Sequence, residues 1–482
     1  MKHSSTLMLD DQVRDRLWSH IISAVNDYMN NVSSIRVAPE LNPEKIRLFL
    51  KQFDFDEPKD PVEAVDIVLQ GLLKYQVHTP HPRYFGLFNP APTTMGVVAD
   101  TIVAAFNPQL AAWSHSPFAA EIEQLLVHAL GNRLGYEPSR IDGTFASGGA
   151  EANHTAILTA LVKAFPQFAV SGLRGLDCQP AFYVSNQSHH SFIKAARFCG
   201  LGTDAVREIP VDDYFQMDVG FLTAQIKKDR SENFFPFMVV ATAGTTSAGI
   251  IDPIAAIAKV ATAEGLWLHV DAAWGGAALL VPELRRLFKG IERADSITFD
   301  AHKWLSVPMA AGLYLTRHID ILSRTCCFTA TYMPRDAIGL DVVDPYTHSM
   351  QWSRRFIGLK LFLSLAIAGW DGYETTIRHQ VEMGQLLRRE LRESNWKVVN
   401  KTDLPVVCFI DQKNSEGHSF TYLEGIAHKV VSSGNAWISI SRLDENTPAL
   451  RACITNYRTE PEDVIALVRA LNEARKSMTI SP

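Results

Sequence analysis

Five short apolar segments that alternate with helical patterns are the feature that most constrains the fold of this chain. They are rich in β-branched and aromatic residues and read AFYVS, FMVVATAG, LWLHVDAA, DSITFDAH and AGLYLT, between residues 181 and 316. Strands that alternate with helices imply a mostly parallel sheet covered by helices. The sequence therefore predicts an α/β fold, in which ligands bind beyond the carboxyl ends of the strands.

The regions on either side of this alternation predict two further units. The N-terminal region has helical spacing, and the C-terminal region has a long helical pattern followed by KVVN, PVVCFI and LRACIT. We expect an N-terminal helical segment over residues 1–85, a large domain over 86–345 and a smaller α/β domain over 346–482. A chain of 482 residues is long enough for several cores.

Charge and composition exclude several classes of protein. A net charge of -6 without a basic block argues against nucleic acid as a partner. The N-terminal residues lack the apolar core of a signal peptide, and LKLFLSLAIAGW is too short to span a bilayer, so we expect it to form a buried helix. The six cysteines show no C-x-x-C or zinc spacing, which favours reduced thiols, a cytoplasmic location and no metal site.

The segment GTFASGGAEANHTAILTAL places glycines between a short apolar run and a helix. Gly148 and Gly149 allow close approach of the backbone to a ligand, and the free N–H groups of a helix start attract anions. This pattern is typical of a phosphate site. An ordinary strand-to-helix turn remains an equal alternative on these residues alone.

Asp271 closes the fully apolar run LWLHV and is followed by small residues, among them Ala273. Small side chains leave space for a flat ring, and a carboxylate at that depth needs a cationic partner or its pKa rises. A protonated ring nitrogen is one such partner, and capping of the next turn is the alternative.

Lys303 follows another such run, in SITFDAHKWLSVP, between apolar residues on both sides. A desolvated lysine becomes a nucleophile for carbonyl carbons. A snorkelling side chain or an ion pair with Asp300 is the commoner fate of a lone lysine. Taken together, the phosphate site, the carboxylate and the amine match the phosphate, the ring nitrogen and the aldehyde of pyridoxal 5'-phosphate, PLP. His189, after AFYVS, is then a candidate to cover the ring, with a polar helix start as its alternative.

At this point the chain resembles the group II PLP-dependent amino-acid decarboxylases, which include aromatic-L-amino-acid and glutamate decarboxylases. The matching motifs occur in family order from about residue 80 to residue 458: HPRYFG, SGGAEAN, HHSFIKAA, ATAGTT, HVDAAWGG, DAHKW, RRF and LRACITN. The resemblance implies the aspartate aminotransferase-like fold of fold-type I PLP enzymes and a homodimer with active sites at the interface.

The resemblance also implies roles for single residues. Lys303 would bond covalently to the cofactor, Asp271 would keep the ring nitrogen protonated, and His189 and Ala273 would lie on opposite ring faces. The residues expected to bind the cofactor are Gly148, Gly149, Ala150, His189, Thr246, Asp271, Ala273, His302 and Lys303. Catalysis is assigned to Lys303, His189, Asp271 and Tyr332, a loop tyrosine that would protonate the substrate after carbon dioxide leaves.

The expected substrate residues are Phe88, Leu87 and Arg451, with Arg451 at a position linked in the family to the substrate carboxylate. A salt bridge on a small-domain strand is the alternative for Arg451, and loop packing is the alternative for Tyr332. This pattern predicts a decarboxylase that converts an aromatic or other apolar L-amino acid to its amine. A PLP-dependent aldehyde synthase, another lyase of this fold and a non-catalytic PLP-binding homologue remain alternatives.

Two departures from the family pattern concern the cofactor site. Ala150 stands where relatives often have a hydroxyl, and Asp300 stands where the aromatic enzymes have asparagine. Two more concern the pocket: Leu87 replaces an expected tyrosine, and Ala111 stands where another ring is expected.

Overall fold

The computed structural model describes residues 7–328, 330–334, 336–337, 339–444 and 446–479. Within these ranges the α-helices are α1 (Asp11–Asn31), α2 (Pro43–Leu50), α3 (Pro61–Tyr75), α4 (Thr94–Phe106), α5 (Pro117–Leu134), α6 (Gly149–Ala164), α7 (Phe168–Ser171), α8 (Ser191–Phe198), α9 (Val219–Ser231), α10 (Ile254–Glu264), α11 (Ile321–Cys326), α12 (Leu359–Glu393), α13 (Phe420–Ser433) and α14 (Pro461–Thr479). The strands are β1 (Asp142–Ala146), β2 (Gln179–Ser185), β3 (Val206–Ile209), β4 (Phe234–Thr242), β5 (Trp267–Asp271), β6 (Ser296–Asp300), β7 (Gly312–Thr316), β8 (Trp396–Val398), β9 (Val406–Asp411), β10 (Ser439–Arg442) and β11 (Pro448–Cys453).

The large sheet has the strand order β1-β7-β6-β5-β4-β2-β3. The neighbours from β3 to β6 pair in parallel, and only β7 runs antiparallel, between β1 and β6. All five predicted segments form strands of this sheet, so the expected mostly parallel α/β fold is confirmed. Strand β3 was not predicted, because its four residues VREI are only partly buried at the sheet edge and lack an apolar run.

Alternate residues of the central strands pack into two separate cores, one on each face of the sheet. Phe182 and Val240 belong to the core beneath α6 and α8, whereas Tyr183 and Val239 belong to the core that includes residues of α5, α9 and α10. Side chains alternate across a strand, and here both sides are covered. This two-sided burial explains why the strands read as continuous apolar runs.

The C-terminal region forms a second, antiparallel sheet with the order β10-β11-β9-β8, covered by α13 and α14. Phe85 packs into its core, and Tyr84 forms a bridge with Trp437. The last residues of the predicted N-terminal segment therefore contact the C-terminal region, while its last helix ends at Tyr75. The three domain boundaries themselves remain predictions.

The expectation of a buried helix for LKLFLSLAIAGW holds only for its first turns. Leu361 is fully buried in α12, but Ile367 is 72% exposed. Among the described residues no single helix is long and apolar enough to cross a bilayer. One bent pair, Gly149–Ala164 with Phe168–Gly175, meets that test by length and composition, and most of its first helix is buried against the sheet.

Candidate active site

The carboxyl ends of β1 and β6 meet across the first residue of β7. Gly312 pairs with Ala146 on one side and with Asp300 on the other. A Cβ atom on Gly312 would lie 2.6 Å from Gly148 Cα and 2.8 Å from Asp300 Oδ1, so this junction requires glycine. The close approach brings the glycine turn after β1 against the end of β6.

Lys303 lies in the turn that directly follows β6. Its Nζ is 2.9 Å from Asp300 Oδ2, and its side chain is 24% exposed while that of Asp300 is 1% exposed. The ion pair that the sequence left open as an alternative is therefore present. Because the Lys303 side chain is only partly buried, the ion pair leaves it open to a ligand. The second carboxylate oxygen of Asp300, Oδ1, is buried and accepts no hydrogen bond from the described residues.

Asp271 ends β5 beside β6, where it pairs in register with Thr298. Its Oδ2 accepts a hydrogen bond from Asn153 Nδ2 at 3.0 Å, and its Oδ1 accepts one from Ala273 N at 3.1 Å. The side chain is buried, and no cationic group of the described residues forms an ion pair with it. The structure thus presents an oriented carboxylate, stabilised by N–H groups, with no side-chain cation bound to it.

His189 follows β2, and its Nδ1 accepts a hydrogen bond from Ser191 N at 3.2 Å. Burial lowers the pKa of His189, the negative charge of Asp271 opposes this shift, and the positive charge of Lys303 adds to it. These influences place His189 near both residues. The lowered pKa leaves the imidazole neutral at neutral pH.

The start of α6 is where the sequence predicts an anion site. Gly148 precedes the helix in an extended conformation, and the first amides of the helix have no partner within it. A Cβ atom on Gly149 would lie 2.9 Å from Asp300 Oδ2 and 3.2 Å from Ala273 Cβ, and one on Gly148 would lie 3.4 Å from His302 Cε1. The turn therefore adjoins Asp300, Ala273 and His302. Ala150 is exposed and has no hydroxyl.

Arg451 of β11 reaches from the small sheet to the large domain. Its Nε donates to Thr246 O and its Nη1 to Gly86 O, both at 2.8 Å, and its guanidinium lies 4.9 Å from the centre of the Phe88 ring. Arg451 is 3% exposed, and its Nη2 has no partner among the described residues. The alternative of a salt bridge is wrong, because the described partners are carbonyl groups and a hydroxyl.

The remaining predicted substrate residues have different surroundings. Phe88 is buried and its ring stacks on that of Trp274, with 4.4 Å between the ring centres, while Leu87 is 55% exposed.

Tyr332, the predicted catalytic tyrosine, is 76% exposed, and its ring lies 6.3 Å from that of Trp352. No described contact joins Tyr332 to Lys303 or Asp271. The structure of this single chain therefore does not bring Tyr332 to the strand ends.

Sequence reasoning missed Asn153 and Trp274, although each lies inside a motif that it singled out. Asn153 is a buried amide on the face of α6 that covers the sheet, and Trp274 provides the ring beneath Phe88. A polar residue four positions after Gly149 falls on the same helix face as that glycine. This spacing is the signal that would have identified Asn153.

The residues present fit PLP by the chemistry of their donors. A partly exposed amine suits its aldehyde, and a buried carboxylate without a cation suits its protonated ring nitrogen. A helix start with free amides suits its phosphate. The carboxylates of Asp300 and Glu151 lie beside this helix start, and their charge opposes phosphate.

Comparisons with known proteins agree with this chemistry. Residues 43–411 match the pyridoxal-dependent decarboxylase conserved domain. Aromatic-L-amino-acid decarboxylase of Bacillus atrophaeus is 29% identical over 99% of this chain and 98% of its own length. Tyrosine decarboxylase of rice is 31% identical over 84% of this chain and 78% of its own length. The crystal structure of mouse CSAD covers 97% of this chain and 99% of its own, with a TM-score of 0.91 and 27% identity.

The matched domain covers more than half of the chain and includes the strand ends described above. Other relatives are named acidic amino acid decarboxylase and cysteine sulfinic acid decarboxylase, so the names agree on the reaction and differ on the substrate. The chain therefore belongs to the pyridoxal-dependent decarboxylases and is an enzyme that uses PLP to decarboxylate amino acids.

Proposed function

We propose that this enzyme converts an L-amino acid with an aromatic or other apolar side chain to its amine and carbon dioxide. The observation that carries the proposal is the placement of Lys303 and Asp271 at neighbouring strand ends, beside the helix start at Gly149. The aromatic pair of Phe88 and Trp274 under Arg451 supports the choice of side chain.

In this proposal each residue of the site either binds the cofactor or moves a proton. When bound, PLP supplies an electron sink for the pair of electrons left behind by carbon dioxide. Lys303 holds the cofactor covalently, Asp271 holds a proton at the ring nitrogen, and His189 covers one ring face and excludes water there. The amides at Gly148, Gly149 and Ala150 bind the phosphate together with His302, Ala273 supports the other ring face, and Thr246 borders the ring. Tyr332 returns a proton to the substrate Cα.

The charges around the crevice favour an apolar substrate over an acidic one. Asp271, Asp300 and Glu151 bring negative charge to the strand ends. The unpaired Nη2 of Arg451 suits one carboxylate, which is the α-carboxylate that every amino acid carries. An acidic side chain would require a second cation, whereas Leu87 and Phe88 offer apolar surface.

A substrate screen tests this proposal. Purified enzyme loaded with PLP is incubated with phenylalanine, tyrosine, tryptophan and hydroxylated aromatic amino acids, and in parallel with glutamate, aspartate and cysteine sulfinate. We expect release of amine and carbon dioxide from at least one member of the first group. Faster turnover of an acidic substrate would contradict the substrate class, and no turnover of any amino acid would contradict the function.

The change Tyr332→Phe removes the proposed proton donor while it keeps the ring that lies beside Trp352. We expect amine formation to fall by about 100-fold, in the range of a lost general acid. Ammonia and hydrogen peroxide should rise in the presence of oxygen, and both are measured alongside the amine. Trp352→Phe is the matched control for loop packing and should leave the product ratio unchanged. An unchanged rate and product ratio for Tyr332→Phe would remove Tyr332 from the mechanism.

The change Asp300→Asn removes the carboxylate that competes for Lys303 and repels phosphate. Because Asp300 Oδ2 lies 2.9 Å from Lys303 Nζ, the wild-type apoenzyme holds the amine in an ion pair. We expect the Kd for PLP to fall roughly 3- to 10-fold, as for the loss of one unfavourable charge contact that the Lys303 amine partly offsets. Spectroscopic titration of the apoenzyme with PLP measures this Kd. Weaker binding would show instead that the carboxylate supports the cofactor.

We also propose that the enzyme is a homodimer with its active sites near the interface. Helix α1 has no buried residues, and several large apolar side chains of α4 and α5 are exposed, including Phe106 at 83% and Phe118 at 77%. Exposed apolar surface of this kind indicates an interaction site. Sedimentation velocity at micromolar concentration should give the mass of two chains, and a single monomer species would contradict this proposal.

A further inference from the structure

We propose that Asn153 is a positioning residue for Asp271, at the end of a one-directional hydrogen-bond chain that runs from Trp267 through Ser296 and His269. The chain keeps the Asp271 carboxylate ionised and aimed at the ring nitrogen of the cofactor. This inference rests on the proposed function of Asp271. It adds residues of α6, β5 and β6 to which neither a motif nor a relative assigned a role.

The last link of the chain joins Asn153 to Asp271. Asn153 is 1% exposed on α6, and its Nδ2 donates to Asp271 Oδ2 and to Ser191 Oγ, each at 3.0 Å. The two hydrogens of the amide are therefore both used. Because Asp271 accepts its other hydrogen bond from the backbone, Asn153 is the side chain that sets the orientation of its carboxylate.

The orientation of the Asn153 amide is determined by the Asp271 carboxylate, toward which only an N–H group is favourable. Asn153 Oδ1 accepts a hydrogen bond from Thr298 Oγ1 at 2.7 Å and lies 3.2 Å from His269 Nε2. A flipped amide would point its N–H groups at these partners and its oxygen at the Asp271 carboxylate, which would be repulsive. The surroundings thus permit a single orientation, with the N–H groups on Asp271.

The direction of the remaining bonds is set at both ends of the chain. Trp267 Nε1 can only donate, and it does so to Ser296 Oγ at 2.8 Å. Because Asn153 Oδ1 can only accept, His269 carries its hydrogen on Nε2, which faces that oxygen, and its Nδ1 then accepts from Ser296 Oγ at 2.8 Å. Burial lowers the pKa of His269 to about 3, so the imidazole is neutral throughout the usual pH range.

The consequence for the reaction is electrostatic. An N–H group that donates to a carboxylate favours the ionised form. Without Asn153 the ionised carboxylate would lose its side-chain N–H donor, so it would hold the proton on the ring nitrogen less well. The titratable groups on the crevice side, Lys303 and His189, do not replace this contact, since neither hydrogen-bonds to Asp271 in the described structure.

The test is a pH titration of the visible absorption band of the PLP-loaded protein without any amino acid. Two variants interrupt the chain next to Asp271: Asn153→Leu removes the donor, and Asn153→Asp exchanges it for a negative charge. A ring that loses its proton carries less positive charge, so the nitrogen that joins Lys303 to the cofactor becomes more basic. We expect the midpoint to rise by about one pH unit for Asn153→Leu, as for one lost hydrogen bond to a charge, and further for Asn153→Asp.

Two further variants separate positioning from folding. Thr155→Val removes a buried hydroxyl from the same helix, where Thr155 Oγ1 donates to the backbone oxygen of Glu151 at 3.0 Å and takes no part in the chain. It should lower the Tm without a change in the midpoint. Ser296→Ala breaks the chain two links away and releases the tautomer of His269, so the midpoint should rise by a smaller amount. This variant keeps the test decisive if the Asn153 variants do not fold.

An unchanged midpoint in the folded Asn153 variants, or in Ser296→Ala if those do not fold, would overturn the inference. Its failure is distinct from failure of the proposed function, because the titration uses no substrate. A wild-type protein that binds PLP and turns over no amino acid would contradict the function alone.

Discussion

Replacement of Lys303 by alanine is expected to abolish the visible absorption band of the PLP-loaded protein and to lower kcat by on the order of 1000-fold or more. The reason is that Lys303 provides the amine beside the strand ends, 2.9 Å from Asp300 and partly exposed. Without a covalent bond to the aldehyde, PLP is held by its phosphate and ring alone. Absorption spectra and initial rates of amine release measure both effects.

Lys360→Ala is the matched control, because Lys360 is another lysine paired with an aspartate, although its side chain is buried. Its Nζ lies 3.3 Å from Asp100 and donates to the carbonyl of Pro308. The control is expected to lower the Tm and to keep the visible band. If the band and the rate survive in Lys303→Ala, Lys303 does not hold the cofactor and the site is assigned wrongly.

The change Asp271→Asn is expected to lower kcat by about 100- to 10,000-fold while PLP remains bound. The amide has nearly the same shape but no negative charge, so it cannot hold a proton on the ring nitrogen. The electron sink is then weaker at the step that releases carbon dioxide. Single-turnover kinetics on the loaded enzyme measure this loss separately from substrate binding.

Asp252→Asn is the matched control for a buried carboxylate. Asp252 is 2% exposed near the end of β4 and accepts hydrogen bonds from Thr242 N and Met217 N. This control is expected to cost stability and to retain the rate per folded molecule. Equal losses of rate in both variants would show that Asp271 acts through folding rather than through the cofactor.

The strands of the large sheet were predictable because both of their faces are buried. A strand such as β5, in which all five residues are buried, must be apolar along its whole length, and the sequence shows this directly. Strands β3 and β10 are partly exposed at sheet edges and carry no such pattern. The second half of LKLFLSLAIAGW was predicted to be buried, but its apolar residues face outward, where Ile367 is 72% exposed.

The residues by themselves determined the fold class and the three groups that follow the strands at Gly149, Asp271 and Lys303, because each group interrupts an apolar run at a strand end. Only the tertiary structure decided what each group contacts. It showed the ion pair of Lys303 with Asp300, the carbonyl partners of Arg451 and the amide of Asn153 on Asp271. The Lys303–Asp300 pair is local, and the sequence offered it as one of two alternatives. The other contacts join residues more than a hundred positions apart, so they depend on strand order and register, which a local pattern of residue types does not encode.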